Sequence, residues 1–146
     1  MNEIKAVAEM LIHKASKDVF DAFANPDVII KFWLKETTGP LAMDAVVDWD
    51  FMVPGSRVTV TVTDFSENSH IAFQWSNGVN VDMLFREMGD GTRVTVKCDG
   101  FEGDDAIEQS INTTEGFAIV LCDLKSLLET GKSGNMVRDK AVIIAS

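Results

Sequence analysis

The chain has 146 residues, of which 46% are hydrophobic and 25% charged, with a formal net charge of -10. That balance excludes a disordered polymer, and a chain of this length buries roughly 70% of its unfolded surface without a disulfide or metal staple. The acidic surplus opposes phosphate backbones and anionic lipid surfaces, so neither nucleic acid nor membrane is expected as a partner.

In chain order, Glu3 to Ile12 alternates partly, with Ile4, Ala6, Ala8, Met10 and Ile12 on one face, and reads as a first strand. Ser16 is placed to cap a short helix through Phe23, with Val19, Phe20 and Phe23 in one stripe. Asn25-Pro26 opens a second helix: a capping side chain, then proline where no hydrogen bond is lost. It carries Ile29, Ile30, Phe32 and Trp33 and ends by Gly39-Pro40.

A meander follows. Val47 to Phe51 alternates strictly, with Val47, Trp49 and Phe51 on one face and Asp48 and Asp50 on the other. After the Pro54-Gly55 turn, Arg57 to Thr63 repeats the alternation with valines inward. Ile71 to Trp75, the Asn77-Gly78 hairpin, Val79 to Arg86, the Asp90-Gly91 hairpin and Thr92 to Asp99 complete strands two to six. One face of this antiparallel sheet is apolar and must be covered. Only the helical run from Asp104 to Gly131 is long enough, at roughly 40 Å. Asp105 and Glu108 match a capping box, and Gly131 suits a left-handed end. Beyond it, Lys132 to Ser146 holds the apolar run Ala141 to Ala145, which fits a docked tail, a final edge strand or a contact with a second subunit. The reading is one α+β domain over 1–146, with a core of about 4–131 and a tail of 132–146.

The chemistry-bearing residues converge on no catalytic set. His13 and His70 stand far apart and not at metal-ligand spacing, so no metal is expected. Asp48 and Asp50 lie roughly 7 Å apart on one strand face, a carboxylate pair that points away from the apolar side. Cys98 and Cys122 sit in apolar patterns and read as buried reduced thiols. Gly131-Lys132-Ser133 follows a helix instead of opening one, so it is no phosphate loop. No cofactor is implied. The N-terminal segment Met1 to Lys5 lacks the basic flank and apolar core of a signal peptide, and the expected compartment is cytoplasmic.

The residue pattern resembles a known family. Val19-Phe20-Asp21-Ala22-Phe23 before Asn25-Pro26, then Phe32-Trp33, Gly39-Pro40-Leu41 and the strand around Trp49 carry the likeness. So do Asp90-Gly91-Thr92-Arg93-Val94, Gly100-Phe101, and Gly116-Phe117 with Val120-Leu121-Cys122-Asp123-Leu124-Lys125. Over about residues 4 to 131 the chain resembles the AHSA-type family, homologues of the activator of the heat-shock ATPase. That family lies within the START-like/polyketide-cyclase (SRPBCC) superfamily. The family commonly has glycine near position 44, where this chain has Asp44. The resemblance implies a helix-grip fold: a curved antiparallel sheet wrapped around a long C-terminal helix, two short helices after the first strand, and an internal cavity.

The functional expectation is a small hydrophobic ligand held between sheet and helix. The candidate ligand-binding residues are Phe32, Trp33, Trp49, Phe51, Phe73, Trp75, Val81, Met83, Phe85, Phe117 and Leu121. Asn112, Glu115, Ser126 and Arg57 are candidate polar contacts. The alternatives are a protein-interaction module with a chaperone partner, as in the co-chaperone relative, and a cyclase- or hydrolase-like enzyme, which would need a buried ionisable group. A homodimer through the tail is a further expectation.

Overall fold

The computed structural model describes residues 3–146; Met1 and Asn2, part of the N-terminal segment read above, lie outside them. Seven strands form one antiparallel sheet: β1 (Ala6–Ile12), β2 (Leu34–Thr37), β3 (Val46–Phe51), β4 (Arg57–Ser66), β5 (His70–Trp75), β6 (Asn80–Met88) and β7 (Gly91–Asp99). Their order is β1-β7-β6-β5-β4-β3-β2, so the meander runs back until its last strand meets the first. Four helices accompany it: α1 (Ser16–Ala24), α2 (Pro26–Phe32), α3 (Ala106–Thr130) and α4 (Met136–Ala145).

Register places the apolar alternation on one face. Val62 pairs with Phe73, Phe73 with Val81, Val81 with Cys98 and Met83 with Val96, and all six are buried. A bulge in β4 between Val62 and Asp64 shifts the phase, so that Phe65 rather than Asp64 turns towards the helices and meets Phe20 at 5.1 Å between ring centroids. The outer face is wet and cross-linked by charge. Arg93 donates to Glu9 through Nε and Nη2 at 3.0 and 2.6 Å, and Thr95 adds a third bond. These donors hold the Glu9 carboxyl below its ordinary range.

The inner face is gripped by α3, which buries Ala106, Ser110, Phe117, Val120, Leu121, Asp123 and Leu124. Its end is tied to the end of β1: Lys125 Nζ donates to the Leu11 carbonyl at 2.7 Å, and the His13 amide donates to Glu129 at 2.9 Å. Gly131 closes the helix at φ 82 with its N–H on the Leu127 carbonyl.

Several local expectations change. The first helix takes Ala15, not Ser16, as its cap; Ser16 Oγ instead lies 3.1 Å from the buried Thr92 Oγ1, which donates to the Lys14 carbonyl. The Asp105/Glu108 capping box does not form: Asp105 makes no side-chain cap bond and accepts from the Gln109 side chain at 2.6 Å. Asn25 does cap α2, accepting from the Asp27 amide at 2.9 Å. The β2 edge strand carries no sequence signal, because four residues with only Leu34 buried show no alternation. The tail folds as helix α4, which excludes the edge-strand alternative.

Candidate functional site

Aromatic side chains fill the space under the sheet in two groups. Phe20, Phe23, Phe32 and Phe85 pack around α1 and α2 at 5.3 to 5.9 Å between neighbouring rings, edge-on for Phe20–Phe85 and Phe23–Phe32 and tilted for Phe23–Phe85. Trp33, Trp49, Phe51, Phe73, Trp75 and Phe117 form the second group, nearer β2 and β3. Within it Trp33 meets Trp49 at 4.9 Å, and Trp75 stacks on Phe117 at 5.8 Å with 10° between planes. The indole Nε1 of Trp75 is buried and has no acceptor among the described residues.

Beside the second group the packing opens into a cavity of about 210 Å³. Two helix stripes face it, each with the i, i+3, i+4, i+7 spacing that one helix face requires. From α3 come Thr113, Gly116, Phe117 and Val120; from α4 come Val137, Lys140, Ala141 and Ile144. Phe51, Met52, Val53 and Ser56 contribute the β3–β4 turn, and Trp33 and Trp75 close the wall. Gly116 lies mid-helix, where glycine costs about 1 kcal/mol against alanine. A Cβ added there would meet nothing within 4 Å.

Of the sequence-derived candidates, Trp33, Phe51, Trp75 and Phe117 line this cavity. Trp49 and Phe73 stand behind that wall, touching Trp33 and Trp75 respectively. Phe32 and Phe85 pack against Phe23 on the far side, and Val81, Met83 and Leu121 are buried in the core. Glu115 sits at the rim, where it pairs with Lys140 at 2.7 Å. Arg57 pairs with Asp48 on the outer sheet face, Ser126 donates to the Lys132 carbonyl, and Asn112 is exposed. The α4 wall is not legible in the sequence, since the continuous apolar run Ala141 to Ala145 hides its helical stripe.

What seats α4 is Asp123, only 1% exposed. Its carboxylate accepts from Ser133 Oγ at 2.7 Å, the Gly134 amide at 2.9 Å and the Val137 amide at 3.3 Å. It thus supplies the cap that Asn135 does not provide. Together with the Glu115–Lys140 pair, this holds the lid over the cavity.

The remaining titratable residues lie outside this cavity. His70 bridges Asp64 and Asp82 on the outer face, and His13 pairs with Asp90. Asp48 is held below the ordinary carboxylate range by the Thr59 hydroxyl and Arg57. No cluster of three or more His, Cys, Asp or Glu fit for a metal occurs among the described residues. Nor is any described helix long and apolar enough to cross a membrane.

A curled antiparallel sheet gripping one long helix, with two short helices after the first strand, defines an SRPBCC-type helix-grip domain. The family described as Activator of Hsp90 ATPase homolog 1-like protein matches residues 15–129, and the chain belongs to that family. Among solved structures, a Staphylococcus saprophyticus protein aligns at TM-score 0.79 and 24% identity, covering 88% of this chain and 94% of its own. The Aha1 dimer from Colwellia psychrerythraea, solved in solution, aligns at 0.80 and 17%, covering 89% and 99%. The AHSA1-like protein from Aeromonas hydrophila gives 0.67 and 19%, covering 87% and 93%. No curated protein matches the chain. At these identities the structural likeness establishes the fold alone.

Proposed function

We propose that the protein binds a small hydrophobic ligand in the cavity between α3, α4 and the Trp33–Trp75 wall. The observation that carries this reading is the cavity itself. A space of about 210 Å³ with four aromatic walls is left beside a core that elsewhere packs ring on ring. An apolar cavity of about 150 Å³ is enough to take up benzene, so this one suits a ligand of one or two rings. Gly116 supports the same reading, because it keeps side-chain volume out of the cavity at a cost in helix propensity.

Replacing Gly116 with leucine should fill the space from a position with no steric conflict. Binding of naphthalene-type fluorophores, followed by enhancement of their emission, should be saturable in the native protein and lost in Gly116→Leu with the circular dichroism unchanged. If the native protein binds no such probe, or the leucine variant binds as well, the cavity is not the site.

Self-association is a second reading, carried by the outer face of α4. Val142 and Ile143, which do not line the cavity, are each 65% exposed, an adjacent apolar pair on that helix. The Colwellia relative being a dimer is in keeping with this. A solution mass near twice the chain mass of 16.0 kDa, falling to the monomer in Ile143→Glu, would support it; a monomeric native protein would remove it.

A further inference from the structure

We infer that the ligand of this cavity is a small amphipathic anion, a one- or two-ring carboxylic acid, and that Lys140 recognises its acid group; the inference rests on the ligand-binding reading above. Lys140 alone among the lining residues carries a formal charge, and Ser56 and Thr113 supply the only hydroxyls. An aromatic body would occupy the apolar walls, and a neutral ligand would leave the ammonium with Glu115 alone.

The present partner of Lys140 is exchangeable. Glu115 reaches it at 2.7 Å from a side chain that is 54% exposed, whereas that of Lys140 is 31% exposed. An exposed ion pair of this kind is worth about 0–1 kcal/mol, so its displacement is cheap. A carboxylate brought in by the ligand would meet the same ammonium from the apolar side, where the effective dielectric is lower and the attraction stronger.

The surroundings of α4 point the same way. The hollow on its other side shares Met52 and Ala141 with the cavity and is lined by Lys35 and Arg138. Neither of these cations forms an ion pair among the described residues. Two cations on α4 and one beside it thus line the two hollows, in a chain with 13 basic and 23 acidic residues. The overall negative charge does not cancel this, because exposed charges are screened beyond about 8 Å at physiological salt.

Isothermal titration at neutral pH should compare naphthoic acid, ionised there, with its uncharged amide. The native protein should bind the acid about tenfold more tightly, as a charge-assisted contact requires. Lys140→Met keeps the aliphatic stem; it should bring the acid down to the affinity of the amide, with amide binding unchanged within about twofold. Glu115→Gln frees the ammonium and should tighten the acid by about threefold and leave the amide alone. Equal native affinities for acid and amide, or a preference that survives Lys140→Met, would overturn this inference and leave the cavity reading standing. Failure of both ligands to bind would overturn both.

Discussion

Replacing Asp123 with alanine should release α4 while the sheet and α3 stay folded. The three bonds that Asp123 accepts come from Ser133, Gly134 and Val137, all at the start of α4. Hydrogen bonds to a charged group contribute about 1.5–3 kcal/mol each, and a simple sum would overstate the loss. The ceiling is the free energy of undocking α4, since an undocked segment returns its donors to water. That ceiling is low. Ala141 is the one fully buried residue of α4, Val137 packs only partly, and a helix of 10 residues does not persist alone in water. The expected cost is therefore about 3 kcal/mol, confined to the lid.

Hydrogen–deuterium exchange resolves this. Amides of Met136–Ala145 in Asp123→Ala should exchange roughly a hundredfold faster than in the native protein. Amides of β5, β6 and β7 should keep their protection. Asp123→Asn should fall between, because one carbonyl oxygen can still accept the shorter bonds. If α4 stays protected in the alanine variant, apolar docking rather than the carboxylate seats the lid, and the reasoning fails. If the whole sheet loses protection in parallel, Asp123 serves the core and not the lid.

Gly116→Ala should raise the unfolding free energy by about 1 kcal/mol, read from denaturant midpoints, because the added methyl meets open space; a loss would mean the site is not free. Asp44, at φ 61, occupies a left-handed turn, so Asp44→Gly should be stabilising by about 0.5 kcal/mol in the same assay, and Asp44→Val destabilising. Burial pushes the Cys98 thiol up to about 12, so a disulfide reagent at neutral pH should label one thiol per chain, at the half-buried Cys122, and Cys98 only on unfolding. The raised value also means that Cys98 favours the folded state fully below its ordinary value of 9.0 and progressively less towards 12; Cys98→Ala should flatten that alkaline limb. The Glu129 carboxyl is held low by the His13 amide and then by Lys125, which favours folding above its ordinary value of 4.5 and is lost as the solution is acidified below it. Glu129→Gln should accordingly lie below the native protein in stability at pH 7 and approach it at acid pH, followed by thermal unfolding.

The fold was legible because its strands keep the period of two. Val47 to Phe51 and Arg57 to Thr63 could be assigned from alternation alone, and both register with buried neighbours as read. Hairpin glycines and the Asn25-Pro26 helix start were equally local signals. The failures share a cause. Ser16 and Asp105 look like caps in sequence, yet each side chain has a better partner nearby in space, Thr92 and Gln109. Propensity names what a residue can do, and tertiary contacts decide among its options. The same holds for the interior. Eleven inward-facing residues have the same pattern, and nothing local says that Trp33, Phe51, Trp75 and Phe117 face free space while Phe32, Phe85 and Met83 face other side chains.

That distinction depends on α4. The family match ends at residue 129, before α4 begins at Met136, and four of the cavity-lining residues belong to α4. Without that helix, Phe117 and Val120 would lose the wall that faces them across the cavity. The part of the chain that the family model matches thus supplies an aromatic floor and the Asp123 latch, and the segment after it supplies the lid and its only charged lining residue. Changes in α4 can alter what the cavity admits without touching the sheet or the packing of α1 and α2. A Lys140→Glu variant tests the point: it should reject an anion and, by setting a carboxylate against Glu115, loosen α4, while the sheet and the packing of α1 and α2 keep their stability; collapse of the core in that variant would show that lid and scaffold are not separable.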